Sequence, residues 1–299
     1  MSTPHSPLIT LPFPEERFRF ASSSDVGVAA YDWGGDGPPL VFAHATGLHA
    51  HAWLPLVAAL RSSFHCYGLD ARAQGDTGAG DPPDLMWGAV ADDFVAVLDG
   101  FNLSGRGDVH AIGHSQGGYA IYQGELRRPG TFAHLFGYEP VTFPSREGIS
   151  IAAERDNYMA VLAAKRREVF ASRQAAYDNY KGKPPFMSID DEALRGYVEW
   201  GFDDLDDATV RLKCRAAQEA ALFANSATDT FDRLPELACA VTLGLGEFTN
   251  EGFQTIVPLQ AERLGRGTLV DFPGRSHFGI LEGCVEMADL IRAAFATTA

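Results

Sequence analysis

The sequence predicts an α/β protein in which a mostly parallel central sheet is flanked by helices. Short apolar runs alternate with segments of helical spacing over about residues 25–140, and again over about 235–297. The run PLVFAHA (39–45) is apolar without alternation, which is typical of a strand buried on both faces. Residues 141–233 break this order and have mostly helical patterns. These three observations predict one sheet-based domain with an inserted helical segment.

The first half of the chain follows the strand–helix alternation closely. DVGVAAYDW (25–33) predicts the first strand, which ends at the Gly- and Pro-rich turn 34–39. The elements predicted after it are a strand at 39–45, a helix at 50–60, a strand at 64–70, a helix at 84–99, a strand at 108–115, a helix at 116–126 and a strand at 132–140.

The second half begins with the helical segment. Its predicted helices cover 151–179, 190–200 and 207–224, with loops at KGKPPF (181–186) and GFDDLDD (201–207). The alternation then resumes with a strand at 238–246, a helix at 253–264, a strand at 267–273 and a helix at 280–296. Nearly a hundred residues between two sheet strands indicate a separate unit. We therefore assign 1–140 and 234–299 to a core domain and 141–233 to a helical cap, or lid.

Composition excludes several classes of partner. The 299 residues carry a net charge of −15, which argues against nucleic acid and against an anionic membrane surface. No apolar run reaches the ~18 residues of a membrane span, and the first residues lack the features of a secretory signal. Four scattered cysteines without a CxxC pair favour reduced thiols in a cytoplasmic protein. We expect no metal or cofactor, and a homodimer is left open.

A candidate nucleophile lies in GHSQG (113–117), between a predicted strand and a predicted helix. Gly113 and Gly117 would let the two backbones approach, so that Ser115 projects above the sheet, with His114 inside the turn. The helix beginning at Gln116 would direct free N–H groups to the same place, which suits a developing anion. A chance match to a short glycine motif is the alternative. A serine hydroxyl also needs a base and an orienting acid, so the rest of the chain must supply them.

Two further motifs supply candidates for those partners. HATG (44–47) follows the buried strand 39–45, and the N–H of Thr46 could join that of Gln116 in binding an oxyanion. His44 precedes that donor on the same turn, so we expect it to shape the loop rather than act as the base. GRSHFG (274–279) follows the last strand, and its His277 is the only histidine beyond residue 134. We predict that His277 is the general base, with a helix-capping role as the alternative.

Together these motifs resemble those of the α/β-hydrolase fold family. The resemblance covers about 25–140 and 235–297, and 141–233 matches the variable cap of that family. LDARAQGDT (69–77) is also similar to the family's DxRGxGxS loop, with Ala73 and Gln74 in its middle. We expect that departure to affect loop packing rather than chemistry. The resemblance implies a catalytic order of serine, acid and histidine.

The acid is the point at which the sequence departs from the family pattern. Most members carry an Asp in the turn after the strand 238–246, where this chain has Thr249, and Glu247 lies two residues earlier in the same turn. Some members, including certain dehalogenases, carry the acid one strand after the nucleophile, where this chain has Glu139. A carboxylate in that apolar strand end would be costly to bury without a partner, and His277 would provide one. We therefore favour Glu139 and keep Glu247 as the alternative acid; Glu139 capping a loop N–H is the structural alternative.

The predicted function is a serine hydrolase of small carboxylic esters or lactones, acting through an acyl-enzyme intermediate. Aromatic residues of the cap are expected to serve mostly as packing, with some covering Ser115, which suggests an apolar, ester-like small-molecule substrate. The basic run 165–167 is expected to be a solvated helix face rather than an anion site. Hydrolysis of a C–C bond or a thioester could use the same triad. A ligand receptor of the same fold without catalytic activity is the alternative from another class.

Overall fold

The computed structural model describes residues 6–146, 149–225 and 230–296, and its main feature is an eight-stranded sheet. Numbered along the chain, the strands are β1 (Glu16–Ala21), β2 (Gly27–Gly34), β3 (Pro39–Ala43), β4 (His65–Leu69), β5 (Val109–His114), β6 (Phe132–Tyr138), β7 (Ala240–Gly246) and β8 (Gly267–Phe272). Their order across the sheet is β1-β2-β4-β3-β5-β6-β7-β8. β2 is antiparallel to both of its neighbours, and the other neighbouring pairs are parallel. The predicted fold class is thereby confirmed.

Helices cover both faces of this sheet and also form much of the segment between β6 and β7. They are α1 (Leu54–Leu60), α2 (Trp87–Gly100), α3 (Gln116–Arg127), α4 (Ile151–Ala164), α5 (Arg173–Lys181), α6 (Asp191–Trp200), α7 (Ala216–Ala224), α8 (Thr230–Arg233), α9 (Glu251–Arg263) and α10 (Cys284–Ala296). α1 and α10 pack on one face, and α2, α3 and α9 on the other.

Strand β3 shows why the central strands are apolar throughout. Leu40 and Phe42 belong to the hydrophobic cluster under α1 and α10, whereas Val41 and Ala43 belong to the cluster under α2, α3 and α9. Successive side chains of a strand point to opposite faces, so a strand between two helical layers must be apolar at every position. The pattern seen in the sequence therefore follows from burial on both faces.

The edge strand β1 was not predicted from the sequence. Its residues are mostly exposed or half-buried, so it lacks a continuous apolar run. The alternation of ERFRFA was nevertheless a signal, because Phe18 and Phe20 lie on one face and both pack edge-on against Phe101.

The inserted segment is less helical than the sequence indicated. The predicted helix 151–179 is wrong, because α4 ends at Ala164 and a short strand, Val169–Phe170, precedes α5. The predicted loop 201–207 contains the strand Phe202–Asp204, which pairs with Val210–Leu212, so the last predicted helix begins only at residue 216. Antiparallel pairing competes with helical propensity here, and it buries Phe170 against Phe202. The division into core and cap at residues 140 and 233 stays a prediction.

The inserted segment packs directly on the sheet domain through α6. His49 donates a hydrogen bond through Nε2 to the carbonyl of Tyr197 (2.9 Å), and the two rings stack. Trp53 and Leu54 share one hydrophobic cluster with Leu194 of α6. This contact holds α6 on the helical layer that covers β3.

The four cysteines are buried and unpaired, and burial raises the pKa of the Cys66 thiol to about 12. Within the described ranges, no helix has the length and apolar character needed to cross a membrane. The cytoplasmic location stays a prediction.

We predict that acidification destabilises the fold through buried histidines. Burial lowers the pKa of both His49 and His134 to about 4, whereas an unfolded histidine titrates near 6.5. Between these values the unfolded chain binds more protons, so stability is present above pH 6.5 and is lost as the pH falls toward 4, by at most about 1.4 kcal/mol per pH unit and per histidine. Urea unfolding at pH 7.5 and 5.0 should show a lower free energy of unfolding at pH 5.0.

The control for this experiment is His134→Gln, which keeps a polar group facing Thr242 Oγ1 (2.8 Å from His134 Nε2) but does not titrate. The difference between the two pH values should become smaller in this variant. An unchanged difference would contradict the assignment to His134.

Candidate active site

Ser115 occupies a strained turn between β5 and α3. Its backbone has φ 54° and ψ −111°, a region that residues with a side chain rarely adopt. A Cβ atom on Gly117 would overlap the carbonyl oxygen of Ala43, and one on Gly113 would lie 2.5 Å from the carbonyl oxygen of Gly117. The backbones of β3, β5 and α3 therefore meet at a distance that only glycine permits. Their contact holds Ser115 at the carboxyl edge of the sheet.

Glu139 and His277 are in direct contact. Nδ1 of His277 lies 2.5 Å from Oε2 of Glu139, whose side chain is fully buried. The same carboxylate accepts hydrogen bonds from the N–H of Gly246 (2.8 Å) and from the hydroxyl of Thr249 (2.7 Å). Thr249 occupies the position expected for the family's usual acid, but here it donates to the carboxylate of Glu139, which follows β6. These three bonds satisfy a carboxylate that would otherwise be costly to bury.

The other candidate acid points elsewhere. Glu247 is exposed, and its Oε2 accepts a hydrogen bond from the N–H of Gly274 (2.7 Å). This bond links the turn after β7 to Gly274, which lies at the start of the loop that carries His277. Of the two carboxylates, Glu139 is the one that contacts His277. It also accepts the N–H of Gly246, so the alternative considered for Glu139, capping of a loop N–H, holds at the same time.

The loop that carries His277 is held by the ends of two central strands. His114 at the end of β5 donates through Nε2 to the carbonyl of His277 (2.8 Å), and the hydroxyl of Tyr138 at the end of β6 donates to the carbonyl of Ser276 (2.8 Å). Burial lowers the pKa of His114 well below its usual value, so this support is a neutral imidazole. The ring of His277 stacks on Phe253, with 4.5 Å between centroids.

The loop after β3 is shaped by His44. Its Nδ1 donates to the carbonyl of Ala45 (2.9 Å), and its Nε2 accepts the N–H of Ala71 (3.0 Å). Burial lowers the pKa of His44, which agrees with a neutral ring that donates on one side and accepts on the other. Gln116 is the first residue of α3, so its N–H has no partner within the helix. The roles of Thr46 and Gln116 as oxyanion donors stay predictions.

Sequence reasoning missed the part that Gln74 plays at this site. Its buried side chain accepts the N–H of Gly47 (2.6 Å) through Oε1 and donates through Nε2 to Oε1 of Gln116 (3.3 Å). It thus joins the loop after β3 to the first residue of α3. Ala73 adopts a φ of 62° in the position of the family's glycine. The available signal was that Gln74 is the only amide residue in the loop LDARAQGDT (69–77).

Two cavities share Ser115, His277 and Thr46 in their walls. The larger, of about 380 Å³, extends under the inserted segment and is otherwise mostly apolar, with Leu48, Leu162, Phe186, Phe223 and Phe278 among its lining residues. The smaller, of about 200 Å³, extends toward α2 and α9 and is lined in part by Trp87, Val141, Phe143, Asn250 and Phe253. A substrate bound at Ser115 therefore has room on two sides.

The expectation for the basic run 165–167 was wrong at its central residue. Lys165 and Arg167 are exposed, but Arg166 lines the larger cavity and pairs with Glu219 of α7 (2.7 Å). Because α4 ends at Ala164, the three residues do not continue one helix face. The turn directs Arg166 inward.

A serine on a tight strand–helix turn, with a histidine loop at the same edge of a parallel sheet, defines the α/β-hydrolase class. A model of the alpha/beta hydrolase family matches residues 40–290. The chain belongs to this family, which is the one that its motifs resemble.

Individual relatives found by sequence match less of the chain. It is 30% identical over 124 residues to (E)-2-((N-methylformamido)methylene)succinate hydrolase of Acinetobacter baylyi, which covers 40% of this chain and 45% of that protein. It is 33% identical over 90 residues to protein phosphatase methylesterase 1 of Homo sapiens, which covers 29% and 23% respectively. Both matches span less than half of the relative. The crystal structure of E-2-(acetamidomethylene)succinate hydrolase superposes with a TM-score of 0.77 at 16% identity, covering 95% of this chain and 99% of that one, a likeness of fold.

We predict that the turn at Ser115 does not tolerate a methyl group at Gly117. Gly117→Ala should lower the free energy of unfolding by about 2 kcal/mol or more, because Ala43 cannot move without displacing β3. The matched control is Gly88→Ala, also at the second residue of a helix, where a Cβ would meet nothing within 4 Å. That change should be neutral or stabilise the protein by up to about 1 kcal/mol. Equal effects of the two substitutions in urea unfolding would refute the close approach.

Proposed function

We propose that the protein is a serine hydrolase that cleaves small carboxylic esters or lactones through a covalent acyl-enzyme on Ser115. The observation that carries the proposal is the bond of 2.5 Å between His277 Nδ1 and the fully buried Glu139, with His277 in the wall of the cavities that also contain Ser115. A histidine oriented by a buried carboxylate beside a strained serine is the arrangement that activates a hydroxyl for attack on a carbonyl.

The proposed reaction has two halves. Ser115 Oγ attacks the carbonyl carbon while Nε2 of His277 takes the hydroxyl proton, and Glu139 stabilises the imidazolium through Nδ1–H. The alcohol then leaves with that proton. A water molecule, deprotonated by His277, attacks the acyl-enzyme, which releases the carboxylic acid and restores Ser115. The negatively charged oxygen of each intermediate would be bound by the N–H groups of Thr46 and Gln116, at about 3–4 kcal/mol per donor.

The surroundings of the site support a small substrate with an acyl part and a leaving part. The two mostly apolar cavities provide separate space for these parts. The net charge of −15 disfavours nucleic acid and anionic membranes as partners. One curated relative is named a methylesterase, which supports ester chemistry. The other is named for a formamido compound, so an amide in a small acyl compound is the second candidate bond. Thioester and C–C bond hydrolysis would use the same residues.

Activity-based labelling tests whether the protein is an enzyme or a ligand receptor of the same fold. A fluorophosphonate should label the wild-type chain at Ser115, and p-nitrophenyl esters of short acids should be hydrolysed. Ser115→Ala should abolish both, while thermal unfolding confirms that it is folded. If the wild-type chain is neither labelled nor active, this proposal is wrong and a ligand receptor is the remaining interpretation.

Matched substitutions test which carboxylate is the acid. Glu139→Gln keeps the shape of the side chain but removes the charge that stabilises the imidazolium, so kcat should fall by about 10²-fold or more. Glu247→Gln should change kcat less than about threefold, because its carboxylate contacts Gly274 rather than His277. Steady-state kinetics on one p-nitrophenyl ester gives both values. The opposite ranking would identify Glu247 as the acid.

A further inference from the structure

The wall of the larger cavity contains a paired cation and anion that the proposed reaction does not use. Among the residues that the structure shows lining the two cavities, Arg166 is the only Lys or Arg. Its Nη1 donates to Oε2 of Glu219 (2.7 Å), and Glu219 lines the same cavity. Both side chains are mostly buried, with 14% and 9% of their surface exposed. A substrate bound at Ser115 therefore meets this pair when it extends into the larger cavity.

Arg166 is held as a charged group by its neighbours. Its Nη2 donates to the hydroxyls of Tyr180 and Tyr197, and its guanidinium lies 5.8 Å from the centroid of the Phe186 ring. Burial lowers the pKa of Arg166, but Tyr197 and Glu219 outweigh this effect, and the pKa lies well above its usual value. A guanidinium in a mostly apolar cavity would by itself be a binding site for a carboxylate.

Glu219 prevents that use of the arginine. Its Oε1 lies against Gly47, where a Cβ atom would overlap it, so the carboxylate fills space that this glycine leaves open. Gly47 adjoins Thr46, so the anion of the pair is directed at the loop beside the candidate oxyanion site. The charge of Arg166 is neutralised inside the cavity, and the chain as a whole carries −15. An anionic substrate would be repelled by Glu219 and by the net negative charge of the chain.

Building on the proposed function, we propose that Glu219 is a specificity-determining residue. Because Glu219 pairs with Arg166, the site favours substrates in which the end away from the ester bond carries an uncharged polar group, such as an amide or a hydroxyl. Such a group can accept a hydrogen bond from the guanidinium and donate one to Glu219. A substrate that ends in a carboxylate is disfavoured because Glu219 already occupies the place of that carboxylate beside Arg166.

Two esters of equal size and different charge test this proposal. In p-nitrophenyl adipamate the acyl chain ends in a primary amide, and in mono-p-nitrophenyl adipate it ends in a carboxylate. The wild-type chain should prefer the amide-ended ester at least about tenfold in kcat/KM, and Glu219→Gln should reduce that preference at least about tenfold, which corresponds to about 1.4 kcal/mol. The reduced preference of Glu219→Gln should come mainly from a lower KM for the carboxylate ester. Adding Arg166→Met to Glu219→Gln should abolish this decrease in KM.

Glu192→Gln is the control, because it makes the same change in net charge at an exposed position of α6 and should leave the preference unchanged. A wild-type preference for the carboxylate ester would overturn the proposal, whether or not the Glu219 variant folds. A folded Glu219→Gln variant with the wild-type ratio would also overturn it. Binding of the two esters to Ser115→Ala, measured by calorimetry, distinguishes a failure of the proposed selectivity from a failure of the proposed function. Selective binding of the amide-ended ester to Ser115→Ala, together with no turnover of either ester by the wild-type chain, would sustain the selectivity and reject the catalysis.

Discussion

The buried carboxylate of Glu139 is the group on which the geometry of the candidate site depends. An ionised carboxylate cannot remain in an apolar interior without hydrogen-bond donors, since its desolvation costs several kcal/mol. Three donors surround it, from the end of β7, from the turn after β7 and from the loop after β8. The loss of any one of them would leave a buried charge less well satisfied. The requirement to solvate one charge thus fixes three separate segments at the carboxyl edge of the sheet.

The serine is fixed to the same edge by backbone contacts. The N–H of Ser115 donates to the carbonyl of Tyr138, and the carbonyl of Ser115 accepts the N–H of Val141, so the turn is bonded to both sides of Glu139. Ser115 and Glu139 both have positive φ values, each at a cost of about 1–3 kcal/mol. The hydrogen bonds and packing of the neighbouring parallel strands compensate for that cost at both residues. Strain at two adjacent strand ends is typical of a site in which precise placement matters more than local stability.

The inserted segment provides part of the cavity wall and none of the proposed catalytic residues. Its helices bring apolar side chains and one ion pair over the serine, and α6 holds the segment on the helical layer beside β3. Apolar walls lower the local dielectric response, which strengthens each polar interaction that remains in the cavity. The mostly buried Arg166–Glu219 pair therefore interacts more strongly than an exposed salt bridge would, which supports its proposed role in selectivity.

The sequence by itself determined the features that arise from short-range constraints. Burial on both faces made β3 apolar at every position, the close approach of β5 and α3 required Gly113 and Gly117, and the order of the motifs placed Ser115 and His277 after strands of one sheet. The sequence favoured Glu139 but left Glu247 open as the alternative acid, and only the tertiary structure shows that Glu139 contacts His277 across a separation of 138 residues. The tertiary structure also decided that Gln74 joins the loop after β3 to the first residue of α3, and that Arg166 faces inward to a glutamate 53 residues away. These contacts depend on how segments distant in sequence pack together at the edge of the sheet, and a local pattern of residues does not predict that packing.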